Sequence, residues 1–516
     1  MIGIRLFFIL IIVANFFATS LAAQDSSLIC SESFRYAKST AGAVMIGADA
    51  TGCFVYETTQ GNSPSIQLSK LDRADLHLLW KKTVALPQPE SSSKQSFEQV
   101  QLIGESIYLF TSGRQNEPAT YQVYVTILDA QAQFVSGPTL LHYAEDVWKA
   151  GKPQLVVRFS PDRQKLLVLY DSPYERKVQE SVSIKVYDTS LDLLWERKLE
   201  LPYGQDVVQV HNYQIDNSGG VYMMSGQNPV KNNLAWQKPQ GHRYVVFYYN
   251  FSSNKLREYD VSLKEKQVIS VQFMINPKNE LVIAGYYSND YQFAAAGTFL
   301  FVLAAEAEGV RTAGMMPFSS EFLKLSLTPR QLEKSGALVD YYLDYLIARE
   351  DDTYLLIGEQ YSVSENIMMD PMTGRQLIER RYNYDDLMVN CVDNNARILW
   401  SARVPKRQFD TSQNEYDSFA CAMDGGSLHV FFNDHPENAA KLGHDGSGEA
   451  QGWNGSRGAV TAHVEIGSDG RMHRSAFPKK KSNDLLFRPA MAASGMNLPL
   501  ILGFESSKDF QFCLIP

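Results

Sequence analysis

Pairs of apolar runs with β-type alternation, each pair split by a short polar turn, recur eight times along the chain at intervals of roughly 55 to 75 residues. The turns fall at Asp49 to Gly52, Gly104-Glu105, Asp162-Arg163, Asn217 to Gly220, Asn276 to Asn279, Asp351-Asp352, Asp424 to Gly426 and Ser494 to Asn497. The clearest copies run from Gln214 to Gly226 and from Met274 to Gly285. In the third repeat four strands are legible: Leu155 to Phe159, Leu166 to Tyr170, Ser181 to Asp188 and Leu193 to Leu201. A period of this size made of strands and turns predicts an all-β fold, an eight-bladed β-propeller, with seven blades as the alternative if one hairpin is misread.

A second recurrence marks the outer strands: Leu71-Asp72, Trp80 and Pro87; Tyr187-Asp188, Trp195 and Pro202; Val392-Asp393, Trp400 and Pro405. The Asp is expected to cap a hairpin, the Trp to fill the space between neighbouring sheets, and the Pro to end an edge strand that needs no amide donor. The last repeat, Leu485 to Ile515, has room for three strands. The segment Ser26 to Tyr36 is expected to supply the fourth and close the ring, which removes free edges. Longer connections are expected at 228–241, 318–342 (with a short helix at Pro329 to Glu333), 364–384, read as a polar excursion, and 434–458, the Gly-rich one where binding would ordinarily reside.

The N-terminus has Arg5, an apolar run from Leu6 to Phe17 interrupted by Asn15, and then small residues up to Ala23. This predicts a secretory signal peptide over 1–22 and a single exported propeller domain over 23–516. No later segment reaches the roughly 18 apolar residues of a membrane span, so a soluble or peripheral product is expected. Five cysteines leave one odd, and none stand in C-x-x-C spacing. Cys30 and Cys513 would meet as a disulfide if the ring closes by pairing its ends, while Cys53, Cys391 and Cys421 lie in strand-like runs and read as buried. A net charge of -9 disfavours a nucleic-acid partner, and Lys479-Lys480-Lys481 reads as a solvated loop.

The chemistry of known propeller enzymes is missing from the sequence. There is no Cys-Cys pair of the quinone-dependent dehydrogenases, no Ser-x-Asp-x-Gly-x-x-Trp box, no G-x-S-x-G, no H-E-x-x-H and no P-loop. His435 and His444 share one loop with Asp434, Glu437 and Asp445, a donor set that suits a divalent metal but matches no known spacing, and a solvated loop is the expectation. Glu350, Asp351-Asp352 and Asp385-Asp386 are read as hairpin turns, because adjacent strand residues face opposite sides. No catalytic, cofactor-binding or metal-binding residue is therefore assigned, and no cofactor is expected.

One stretch goes beyond generic patterning. Tyr354 to Tyr361, Tyr382 to Leu387, Ile398 to Trp400, Val404 to Gln408 and Val430 to Asn438 together resemble uncharacterised exported propeller proteins of the Bacteroidota. The resemblance rests on a Glu-Gln-Tyr strand, a Trp strand ending in Lys-x-Gln, and an Asn-Asp-x-x-x-Asn loop, and covers residues 354–438. It implies a Gram-negative periplasmic or outer-membrane-associated, cell-surface location and carries no activity. Within it Glu359, Gln360, Lys406, Gln408, Asn433, Asp434 and Asn438 are polar groups at successive strand ends. They would form either a recognition patch or a buried network pinning one blade to the next. The expected function is a non-catalytic envelope interaction scaffold for a protein partner; the alternative is a carbohydrate-binding or glycan-cleaving propeller, for which a glycan partner would be needed.

Overall fold

The computed structural model describes residues 28–515, apart from 37–39, 60–64, 90–94, 117–118, 146–153, 172–177, 206, 228–242, 290–293, 305–309, 370–375, 412–414, 456–457, 478–484 and 496–497. Residues 1–22, expected to be a signal peptide, the 228–241 connection, Lys479 to Lys481 and part of the last polar turn lie outside the described residues. The architecture is all-β and of propeller type. Antiparallel sheets of four strands or more follow one another along 40–85, 96–145, 154–204, 208–261, 267–317, 341–410, 420–477 and 486–514, the last completed by 29–35. In each of the first seven sheets the four main strands are hydrogen-bonded in chain order, a meander.

Burial explains the composition of each strand. Glu280–Ser288, second in its sheet, is buried at all nine positions, because neighbouring sheets cover both of its faces. Leu78–Ala85, fourth in its sheet, alternates half-buried and exposed. Among the described residues, eight apolar clusters lie between the sheets, each joining one sheet to a neighbour. Phe54, Ile66 and Leu68 pack on Leu102, Ile107 and Leu109, and the pairing continues sheet by sheet until Phe431 meets Phe487 and Leu502. The remaining cluster joins Ala43, Cys53 and Val55 of the first sheet to Ile501, Phe510 and Phe512 of the last.

The first and last described strands meet in that last sheet. Ile29–Cys30 and Phe34–Arg35 both pair antiparallel with Asp509–Leu514. Cys30 and Cys513 face each other in register and are joined by a disulfide across 483 residues of sequence separation.

The polar turns are built on side-chain acceptors. Asp216 Oδ1 accepts from the backbone N–H of Ser218 at 2.9 Å and of Gly220 at 2.8 Å, while Gly219 adopts φ 91°, where a side chain is strained. Asn276 repeats the arrangement with Lys278 and Glu280, and Asp49 with Thr51 and Gly52. Asp216 is fully buried and also receives the Tyr248 hydroxyl at 3.2 Å. Asp216→Ala, which orphans these donors, is expected to cost about 1–3 kcal/mol by urea unfolding, whereas Asp162→Ala in an exposed turn should cost less. The outer hairpins use the same device. Asp188 Oδ1 accepts from Ser190 and Asp192, and Asp393 Oδ1 from Asn395 and Arg397. Trp195 stacks on Phe251 of the next sheet at 5.3 Å, and Trp400 Nε1 donates to Ser468 O of the seventh sheet at 2.9 Å.

Two expectations are corrected. Residues 364–384 are not a polar loop: Thr353–Met369 and Gln376–Asp393 are single long strands whose distal halves remain paired to each other from Tyr361↔Tyr384 out to Met369↔Gln376. Their alternation is regular enough to sustain a two-stranded ribbon beyond the sheet. Asp385 and Asp386 consequently sit inside a strand instead of in a turn. The connection 434–458 is held down as described below. In 318–342, Ser320–Leu323 and Pro329–Lys334 are short helices; the latter begins with a Thr328/Gln331 capping box. Among the described residues no helix is long and apolar enough to cross a membrane.

Candidate functional site

The fourth strand of the sixth sheet, Ile398–Val404, ends at Pro405, and the chain turns inward to place Lys406. Its ammonium, fully buried, is 2.7 Å from Glu359 Oε1 and donates to Tyr384 O at 2.8 Å and Gln408 Oε1 at 2.9 Å. Two oxygens accept its N–H groups and the Glu359 carboxylate supplies the counter-charge, so a charge is tolerated where water is excluded. The second Glu359 oxygen accepts from Ser418 Oγ at 2.7 Å. Gln408 passes the chain on: Nε2 donates to Asn433 O at 2.8 Å, and Asn433 Nδ2 donates to Phe487 O at 2.7 Å. The sixth, seventh and eighth sheets are thus linked through polar groups as well as through apolar packing.

Asp434 and Asn438 belong to an adjoining buried group. Asn438 Nδ2 donates to Asp434 Oδ1 at 2.6 Å, and Arg474 forms an ion pair with Asp434 and donates to Pro405 O at 2.9 Å. Asn438 also exchanges two hydrogen bonds with the Gln451 backbone. Arg403, paired with Asp386 at 2.6 Å, donates to Gly446 O and Gly448 O, so the Gly-rich connection is fastened at several points despite its composition. Gln360 stands apart: it lies outside the network, with Nε2 donating to Val339 O at 3.1 Å. Neither Arg403, Arg474 nor Ser418 was singled out in the sequence.

The His-rich part of that connection does not converge. His435 Nδ1 accepts from Glu437 N, and His444 Nδ1 accepts from Arg474 N at 3.1 Å while its ring stacks on His473. Glu437 pairs with Lys441, whose hydrogen bond, and then whose charge, hold its carboxyl below the usual range. Asp445 caps Ser447.

Beside Lys406 a pocket of about 290 Å³ is lined by Tyr342, Asp344, Glu359, Tyr361, Tyr384 and Ser418. Two register shifts create it. Between Leu343 and Tyr345 one residue, Asp344, is inserted opposite Gly358 and Ile357. The other shift falls between Glu359 and Tyr361, where the ribbon leaves the sheet. Asp344 Oδ2 accepts from Glu359 N at 2.9 Å. The Tyr361 ring lies 6.4 Å from Tyr342 and 5.0 Å from Tyr384, centroid to centroid. Asp344 is exposed along the pocket wall yet crowded by neighbouring protein; desolvation, then the Glu359 charge, pushes its carboxyl up to about 7. Asp417 nearby is pushed up to about 7 by desolvation and then Asp410.

No family profile and no curated relative matches this chain. Solved structures do resemble it in overall course. A europium-containing methanol dehydrogenase is 10% identical with a TM-score of 0.41, covering 94% of this chain and 86% of that one. The WD40 domain of SCAP from fission yeast is 8% identical with a TM-score of 0.41, over 93% and 96%. The β-propeller domain of the Trilobed protease from Pyrococcus furiosus is 9% identical with a TM-score of 0.34, over 81% and 95%. None of their activities is carried over.

The ribbon at the pocket's edge has two unlike faces. Val363, Ile367 and Met369 lie on one face, opposite Tyr382, Ile378 and Gln376 across the ladder, with a Glu365–Arg380 ion pair at 2.9 Å between them. Ile367, Met369 and Ile378 are each about 60% exposed, at 61%, 64% and 57%. The other face is mostly polar: it carries Ser362, Ser364, Asn366, Glu379, Arg381 and Asn383, with Met368 as its exposed apolar residue.

Proposed function

We propose that this chain is an eight-bladed propeller, closed into a ring by its N-terminal strand, that serves as a non-catalytic docking scaffold of the Gram-negative envelope. It engages a different protein, one with an apolar surface, through the Val363/Ile367/Met369/Ile378 face of the ribbon. Support for the ring comes from the eight inter-sheet clusters, of which one joins the last sheet to the first. Export is supported by the Cys30–Cys513 disulfide, since such bonds persist in oxidising compartments. The observation that carries the docking reading is the exposed apolar face. A two-stranded ribbon is marginally stable alone in water, and large apolar side chains aligned on one side of it gain by being covered.

Glycan cleavage is less well supported. It requires two carboxyls free to act on the sugar, whereas both oxygens of Glu359 are engaged, by Lys406 and by Ser418. The test of docking is affinity purification from envelope extracts with the intact chain and with Ile367→Lys/Ile378→Lys. The expected result is a stoichiometric partner that the variant loses at least tenfold while its melting temperature stays within about 2 °C of the parent, as for surface substitutions. Equal recovery by both proteins, or a partner that proves to be a second copy of this chain, would refute the reading.

A further inference from the structure

We propose that the pocket between Tyr342, Tyr361 and Tyr384, with Asp344 on its wall, binds an alkyl-ammonium group, the chemistry shared by a lysine side chain and a quaternary amine. This does not depend on docking through the ribbon. The three rings line one wall of a cavity of about 290 Å³, Tyr361 packed tilted on Tyr384 and edge-on to Tyr342, and an aromatic wall beside a carboxyl suits a substituted ammonium head. Two carboxyl groups, Asp344 and Glu359, line the pocket, and one ammonium, Lys406, lies beside them. Glu359 is neutralised by Lys406, whose ammonium also donates to Tyr384 O and Gln408 Oε1. Asp344 accepts a backbone N–H from Glu359, and among the described residues no Lys or Arg forms an ion pair with it. A neutral sugar would satisfy the rings but not that carboxylate.

Several groups face Asp344 from the surrounding elements: Glu359 and Lys406 in its own sheet, Tyr345 on its own strand, Tyr286 from the fifth sheet and Cys421 from the seventh. Burial raises both tyrosines well above their ordinary value and Cys421 to about 12, so none of these three titrates between pH 6 and 8. Asp417, at about 7, does titrate there and must be controlled. The sign for Asp344 is fixed by its raised folded value. The folded chain holds the proton more tightly than the unfolded one, so stability is lost as pH rises from about 4 towards 7, and a cation is favoured once the carboxyl ionises.

The test uses the full chain titrated with tetramethylammonium and, separately, with N-acetyl-lysine methylamide, at constant ionic strength, followed by tyrosine fluorescence or calorimetry. Saturable binding of either probe is expected, weakened about tenfold from pH 8 to pH 6 as ionised Asp344 falls from roughly nine-tenths to one-tenth. Which probe binds tighter separates a quaternary from a primary ammonium source. Asp344→Asn should remove the pH dependence and raise the melting temperature at pH 8 more than at pH 5. Tyr361→Leu should weaken binding and keep the pH dependence, and Asp417→Asn should leave both intact. Absence of saturable cation binding at pH 8, unchanged binding in Asp344→Asn, or saturation by methyl glucoside in place of the cations would overturn the proposal.

Discussion

Lys406→Met is expected to destabilise the chain by about 3–5 kcal/mol, the range for removing one partner of a buried ion pair. The substitution keeps an unbranched apolar stem one atom shorter than lysine and removes the ammonium that lies over the Phe432 and Tyr384 rings. What remains is the Glu359 carboxylate, buried without its counter-charge, together with two oxygens that lose their donor. The paired change Lys406→Met/Glu359→Met removes both charges and should recover most of the loss. Denaturant midpoints of the two single variants and the double variant measure the coupling. If the double variant is no more stable than Lys406→Met, the charge pair is not what the site depends on.

Cys30→Ser/Cys513→Ser is expected to lower stability by about 2–5 kcal/mol, the usual cost of losing a native disulfide. The bond holds Ile29–Cys30 against Asp509–Leu514, and those two residues alone make a short ladder. Without it the first strands of the chain detach most easily, and the eighth sheet loses its outer edge. Melting temperatures with and without reductant check this: reductant should lower the parent's value to that of the variant and leave the variant unchanged. A parent insensitive to reductant under conditions that expose thiols would contradict the prediction.

The repeat was legible because its turns use residues with few other roles: Asp216, Asn276 and Asp49 each hold backbone donors two to four residues ahead, and that chemistry leaves a mark at fixed places. The helix at Pro329–Lys334 was legible for the same reason, through its cap and N-terminal proline. The ribbon was not. Its apolar face is assembled from two strands, Ile367 opposite Ile378 and Val363 opposite Tyr382, so neither segment is apolar by composition. The signal that could have found it is the period-two spacing Val363, Glu365, Ile367, Met369. Asp344 was hidden by its bulge, because one inserted residue barely disturbs the alternation around it. Arg403 and Arg474 lie on outer strands, where a charged residue ordinarily faces water. Their partners, Asp386 across the sheet and Asp434 some 40 residues away, are fixed only by folding.

The docking account is tested most directly by photo-crosslinking in living cells, with a photoreactive residue placed in turn at Ile367, Ile378 and Asn366. The account predicts one discrete adduct to a different envelope protein from 367 and 378, which share the apolar face, and none from 366 on the opposite face. Adducts of equal yield from all three positions, or adducts consisting of two copies of this chain, would contradict it.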